Sequence, residues 1–178
     1  MNPVVTIKIE NQEIKYELDL NSDLNCIDGL IEAIHTKSLD NMYIERIVPK
    51  FVLQPWCDES KLGEFYQYVC DLKKDNDYIF DQYSVGLAGD GSRISVPSCI
   101  FITLDHAYHL NHKFTKIGKV ISGFEYIHKI EKVELKDVPN NDNVSFKTPV
   151  VPILIQSVTI ELNGYEPKEC IKYIEKSA

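Results

Sequence analysis

His106, His109 and His112 recur at every third residue, a spacing that on a helix would set three imidazoles on one face and so invite a metal. The intervening Leu110 and Asn111 place the stretch in a loop instead, and no metal site is expected. The run Gly86-Leu-Ala-Gly-Asp-Gly91 does not spell Gly-x-Gly-x-x-Gly, and no helix is expected after it to receive a phosphate, so no nucleotide site follows. Asp71, Asp75, Asp77 and Asp81 lack the glycine and terminal glutamate of a calcium loop and read as a solvated acidic face. No Ser-His-Asp or Cys-His pair can be argued from spacing. The residue types therefore point to chemistry done without metal or cofactor.

Five cysteines, Cys26, Cys57, Cys70, Cys99 and Cys170, form an odd set with no Cys-x-x-Cys pair. Reduced thiols in a cytoplasmic protein are expected. The chain of 178 residues, 44% hydrophobic, suits one domain over 1–178 with a real core. A formal charge of −8 and a pI near 5.1 argue against nucleic acid as a partner, since phosphate binding concentrates Lys and Arg. The opening Met-Asn-Pro-Val-Val-Thr-Ile-Lys-Ile-Glu lacks a basic leader, and no run approaches the roughly 20 apolar residues of a spanning helix, so no membrane association is expected.

Several elements must position whatever site exists. Val5, Ile7 and Ile9, then Ile14, Tyr16, Leu18 and Leu20, alternate with polar residues about an Asn11-Gln12 turn and predict a hairpin with one buried face. Asn21-Ser22-Asp23 supplies caps for a helix running to about Lys37, with Leu24, Ile27, Leu30, Ile31 and Ile34 on its apolar stripe. Further strands are expected near Met42–Ile47, Phe51–Gln54, Tyr83–Leu87, Ser98–Leu104, Thr115–Val120 and Val150–Leu162, giving about eight in all. Turns fall at Gly89-Asp90-Gly91 and Asn140-Asn141-Asp142-Asn143. A second helix is predicted over Ser122–Lys132 with Ser122 as cap, a third over Glu59–Lys74, and the tail Glu166–Ser177 packs as a closing helix or frays. Two helices among many strands suggest a closed barrel with capped ends.

The run Tyr43-Ile-Glu-Arg-Ile-Val-Pro-Lys-Phe-Val-Leu-Gln54 resembles the signature segment of cyclophilins, with Arg46, Pro49, Phe51 and Gln54 in register. Tyr83-Ser-Val-Gly-Leu-Ala-Gly-Asp-Gly91, Ser98-Cys-Ile-Phe-Ile-Thr103 and His109-Leu-Asn-His-Lys-Phe-Thr-Lys-Ile-Gly-Lys-Val120 are similar, in the same order, to later segments of that family, the last to its bacterial members. The resemblance covers Val4 to Leu162 and leaves 163–178 as a C-terminal extension. It implies an all-β fold, an eight-stranded antiparallel barrel capped by two α-helices, and peptidyl-prolyl cis-trans isomerase activity in protein folding. The sequence departs from the pattern at Pro55-Trp56-Cys57-Asp58, where the family has Gly-Gly-Asp after the glutamine. It departs again at Lys50 for glycine, at Cys99 for an amide-bearing glutamine, and at Asn111-His112 for Asp-Gly.

The bond before proline resists rotation by roughly 18–20 kcal/mol because amide resonance gives it double-bond character. At the twisted transition state the proline nitrogen regains its lone pair, so a fixed donor aimed at it favours the twisted form over both planar isomers. The resemblance assigns this catalytic role to Arg46, whose guanidinium stays charged and offers a rigid fork of donors. It assigns the peptide groove to Phe51, Gln54, Cys99, Phe101, His109, Leu110 and Gly89, with proline-containing peptides or unfolded protein clients as partners. A monomer is expected, with weak cyclosporin binding, because His109 stands where many family members carry tryptophan. The competing expectation is a barrel that binds proline peptides while turning their bonds slowly or not at all.

Overall fold

The computed structural model describes residues 1–55, 67–69, 78–89, 94–138 and 146–173, with backbone alone for 67–69. The opening alternation folds as β1 (Val4–Ile9) and β2 (Gln12–Leu18), antiparallel, with Val5 opposite Tyr16 and Ile7 opposite Ile14. Their inward side chains are at most 1% exposed. The turn is Glu10-Asn11 rather than Asn11-Gln12, with Glu10 in the left-handed region at φ +53°. The strand ends at Leu18, so Leu20 takes no part in the alternation.

Asp23 caps α1 (Leu24–His35) by accepting a hydrogen bond from the Cys26 amide at 2.9 Å. The helix stops at Thr36, and its buried face runs from Cys26 to Ile34 while Leu24 remains 45% exposed. α2 is Phe124–Glu131, and its N-cap is Gly123 at φ +93°, not Ser122, which closes the strand before it. An added Cβ at Gly123 would lie 2.5 Å from the Glu13 carbonyl, so glycine there allows the helix start to touch β2.

Among the described residues one curled antiparallel sheet has ten strands, eight of which lie side by side in a single path. Its order is β13 (Ser157–Glu161), β1, β2, β9 (Lys116–Ser122), β7 (Ser84–Gly89), β8 (Ile94–Thr103), β5 (Val52–Gln54) and β4 (Arg46–Val48). The two edges are brought together by a short ladder between β3 (Met42–Tyr43) and β12 (Leu154–Ile155), whose chains run on into β4 and β13. This accounts for two departures from expectation. The strand predicted over Met42–Ile47 breaks at Ile44-Glu45, where Ile44 donates to the Ile153 carbonyl and Glu45 to that of Gln54. The strand predicted over Val150–Leu162 breaks at Gln156, which donates to the Lys8 carbonyl. In both, the chain changes partner at a barrel corner. A small hairpin, β10 (Leu135–Asp137) with β11 (Lys147–Pro149), was not expected from the periodicity because each strand is three residues long.

Within the span expected to be helical, Glu59–Lys74, the described residues Gln67–Val69 form a strand, β6, paired with β8. The rest of that span, the Trp56-Cys57-Asp58 segment, Cys70, the carboxylates of Asp71, Asp75 and Asp77, Asp90-Gly91 and the Asn140–Asn143 turn lie outside the described residues. The tail is neither helical nor frayed up to Tyr173: Lys172–Tyr173 forms β14 against β6. Asn25 holds the Ile171 backbone through both its amide atoms, at 2.9 and 2.6 Å, and Glu32 accepts from the Cys170 thiol and Lys172. One polar face of α1 thus straps the tail in extended form.

α1 packs on β8 and β13, and α2 on β2. A large core fills the barrel, and a smaller cluster of Val52, Tyr78, Phe80, Phe101, Ala107 and Leu110 sits apart from it. The smaller cluster underlies the candidate site. Among the described residues no helix is long and apolar enough to cross a membrane.

Candidate active site

β4 and β5 are joined by Pro49-Lys50-Phe51, closed by a Phe51 N–H to Val48 carbonyl bond of 2.9 Å. Lys50 takes φ +63°, the left-handed conformation that glycine adopts without cost and other residues at about 1–2 kcal/mol. The register puts Arg46 directly opposite Gln54. There the Arg46 guanidinium donates through Nη1 to Gln54 Oε1 at 2.7 Å, which fixes the orientation of its fork.

Beside this pair opens a depression of about 230 Å³. Its apolar walls are Phe51, Val52, Phe101, Leu110 and Phe114, its far edge is Ala88-Gly89, and Arg46 and Gln54 supply its polar side. The walls are held from behind. Phe101 stacks on Phe80 with centroids 5.7 Å apart and meets Phe114 edge-on at 6.1 Å. An added Cβ at Gly86 would lie 2.3 Å from Phe101 Cζ and 2.8 Å from a Phe80 ring carbon, so the two rings occupy the space glycine leaves. Phe80 is tied to the wall-bearing loop twice: its N–H donates to Asn111 Oδ1 at 2.9 Å and its carbonyl accepts from Ala107 at 2.8 Å.

Six of the residues singled out in the sequence, Arg46, Phe51, Gln54, Gly89, Phe101 and Leu110, therefore line one depression. His109 stands beside it, exposed, with its ring 5.1 Å from that of Phe51. Cys99 does not reach it. Leu87 pairs with Ile100 but the next residue, Ala88, pairs with Val96, so Pro97-Ser98-Cys99 bulge out of the ladder. Pro97 has no N–H to contribute there, and the shifted register turns the Cys99 thiol into the main core, 5% exposed. Simple alternation had put it on the same face as Phe101.

Sequence reasoning passed over Val52, Ala88 and Phe114 as wall residues. Phe114 belongs to the His109–Val120 run and carries the signal of a lone aromatic at a loop end. Val52 carries no such signal, because alternation sets it on the face opposite Phe51. The histidines diverge: His106 lies 3.4 Å from an Asp81 oxygen and 3.1 Å from the Tyr108 hydroxyl, while His109 faces Phe51. Among the described residues no three potential metal ligands converge.

An apolar bowl with a charge-fixed donor fork on its rim suits a small ring whose adjoining amide must change geometry, the ring resting in the bowl and the amide passing the guanidinium. Comparison with known proteins agrees with that geometry. Residues 4–170 match the family described as cyclophilin type peptidyl-prolyl cis-trans isomerase/CLD. A peptidyl-prolyl cis-trans isomerase-like 2 protein of Cryptococcus neoformans is 30% identical over 144 residues, 78% of this chain, which spans 24% of that relative's length. Peptidyl-prolyl cis-trans isomerase 10 of Caenorhabditis elegans is 27% identical over 89% of this chain and 96% of its own. The crystal structure of a cyclophilin type isomerase from Cryptosporidium parvum superposes with a TM-score of 0.73 at 18% identity, over 90% of this chain and 98% of that one.

Proposed function

From a chain that belongs to the cyclophilin-type peptidyl-prolyl cis-trans isomerase family, we infer an enzyme that rotates Xaa-Pro bonds in client polypeptides, with Arg46 as the catalytic residue. The observation that carries this is the Arg46 fork, held at 2.7 Å by Gln54 beside the Phe51, Phe101 and Leu110 walls. The proline ring rests on those walls, away from water, while the guanidinium donates to the proline nitrogen as it pyramidalises. One hydrogen bond to a charged group contributes about 1.5–3 kcal/mol, or roughly 10- to 150-fold in rate. The rest comes from gripping one side of the peptide while the other turns. A relative of the same fold was crystallised in the presence of the dipeptide Ala-Pro, which supports a proline-containing ligand for this depression.

The test is exchange on a short Xaa-Pro peptide. Wild type accelerates it, and Arg46→Ala loses one to two decades of that acceleration with its fold intact, about the value of the bond removed. Equal rates in the two proteins would refute the assignment.

The same reading extends to unfolded clients met by a monomer. The buried thiols of Cys26, Cys99 and Cys170 suit a reducing compartment such as the cytoplasm. A specific observation favours the rival, a proline-peptide binder with little turnover: Cys99 stands where the family carries an amide-bearing glutamine, and the bulge at Pro97-Ser98-Cys99 turns that position away from the groove. A folded wild type that binds the peptide yet leaves its exchange unchanged would decide for the binder.

A further inference from the structure

A second depression, of about 330 Å³, shares no lining residue with the Arg46 site. Tyr126 of α2, Val133 and Ile153 line it, with Val151 and Pro152 beside them and the acidic residues Glu10 and Glu134 also in its lining. Val151 is 76% exposed and Val150 39%, so the apolar surface continues outside. Exposed apolar surface rimmed by polar groups marks an interaction site more often than a plain surface does.

The charges say which partner fits. No lysine or arginine lines the depression. Among the described residues neither Glu10 nor Glu134 forms an ion pair or accepts a hydrogen bond on its carboxylate, whereas nearby Glu131 accepts from the Lys50 amide. Glu10 also occupies a left-handed turn position, φ +53°, where glycine or asparagine would sit with less strain. Burial and then the Glu10 charge push the Tyr126 phenol up.

We propose that this depression docks a partner protein through a segment bearing an aliphatic side chain flanked by lysine or arginine. The aliphatic group packs on Tyr126, Val133 and Ile153, and the flanking cations meet Glu10 and Glu134. A second copy of this chain fits less well, because each carries a net charge of −8.

The experiment titrates the full chain with two proline-free synthetic peptides, acetyl-Gly-Lys-Leu-Lys-Gly-amide and its Glu-Leu-Glu counterpart, and follows backbone amide NMR shifts. The basic peptide is expected to give saturable shifts centred on Glu10, Tyr126, Glu134 and Val151, and the acidic one none. Val151→Ser should weaken the basic peptide about tenfold, the value of about 1.5 kcal/mol of valine burial. Glu10→Gln should weaken it less, and Xaa-Pro exchange should be unchanged in both. The absence of shifts with the basic peptide, equal shifts with both peptides, undiminished binding by Val151→Ser, or shifts centred on Arg46 and Phe101 would each overturn the proposal. So would self-association by sedimentation that Val151→Ser abolishes, which would assign the face to a second copy.

Discussion

Phe101 can form a wall of the depression beside Arg46 because Gly86 behind it has no side chain. A methyl there would sit 2.3 Å from the ring edge, and the ring has nowhere to retreat with Phe80 stacked behind it and Phe114 at its edge. Gly86→Ala is therefore expected to cost about 1–3 kcal/mol of stability, as overpacking does. It should also lower kcat/KM for Xaa-Pro exchange about tenfold by displacing the wall. Urea unfolding and the exchange assay read the two effects; a stability loss without a change in exchange would mean the Phe101 wall does not touch substrate. His109 gives the second test at this scale. Its imidazole covers Phe51 from the solvent side, and a tryptophan there would add roughly 60–80 Å² of apolar contact, about 1.5–2 kcal/mol at 25 cal/mol per Å². Calorimetric titration should show weak cyclosporin binding by wild type and about tenfold tighter binding by His109→Trp. Tight binding by wild type, or no gain in the variant, would place His109 outside the ligand's reach.

The site is assembled from four elements: the β4–β5 hairpin, the end of β7 at Ala88-Gly89, the bulged β8, and the loop from Asp105 to Phe114. The loop is the least regular of them, with one short 3₁₀ turn at Tyr108–Leu110, yet it carries Leu110 and Phe114. What fixes it is the Asn111 side chain on the Phe80 amide. Asn111→Ala removes the acceptor from that N–H, at about 1 kcal/mol, and loosens the loop against Phe80. The expected result is a KM for proline peptides raised about fivefold with kcat little changed. Asn111→Asp keeps an acceptor oxygen and should restore the wild-type KM. If alanine and aspartate behave alike, Asn111 positions nothing.

Over the whole molecule the acid–base balance rests on phenols as well as on the net charge of −8. Tyr16, 1% exposed in the barrel core, has its phenol pushed far up by burial alone. Tyr165 moves the same way, by burial first and then by its hydrogen bond to the buried Asp28 and that carboxylate's charge. A group whose folded pKa lies above its unfolded value binds its proton more tightly in the native state. Its contribution is complete below the ordinary phenol value of 10.0 and drains away as pH rises above it. Urea unfolding should show stability falling beyond pH 10, and Tyr16→Phe should lose less of it by about pH 11.5. Equal slopes in the two proteins would remove Tyr16 from the account.

The sequence by itself determined the features set by local periodicity and by runs of near neighbours. Val5 to Leu18 alternate because one face is buried, Asp23 caps because the next turn leaves its amides unsatisfied, and Arg46 faces Gln54 because a hairpin closed at Lys50 allows that register. The family resemblance carried by such runs implied the type of fold and singled out six residues that line one depression. Tertiary structure alone decided the rest. Cys99 left the groove because a bulge at Pro97 reversed the facing that alternation assigned, and pairing between distant strands sets such a bulge. Gln67–Val69 became strand because β8 offered an edge, and the tail became an extended strap because α1 offered Asn25 and Glu32. In each case the deciding partner lies far away along the chain, where hydrogen-bond satisfaction outweighs local propensity and no window of neighbouring residues contains the answer.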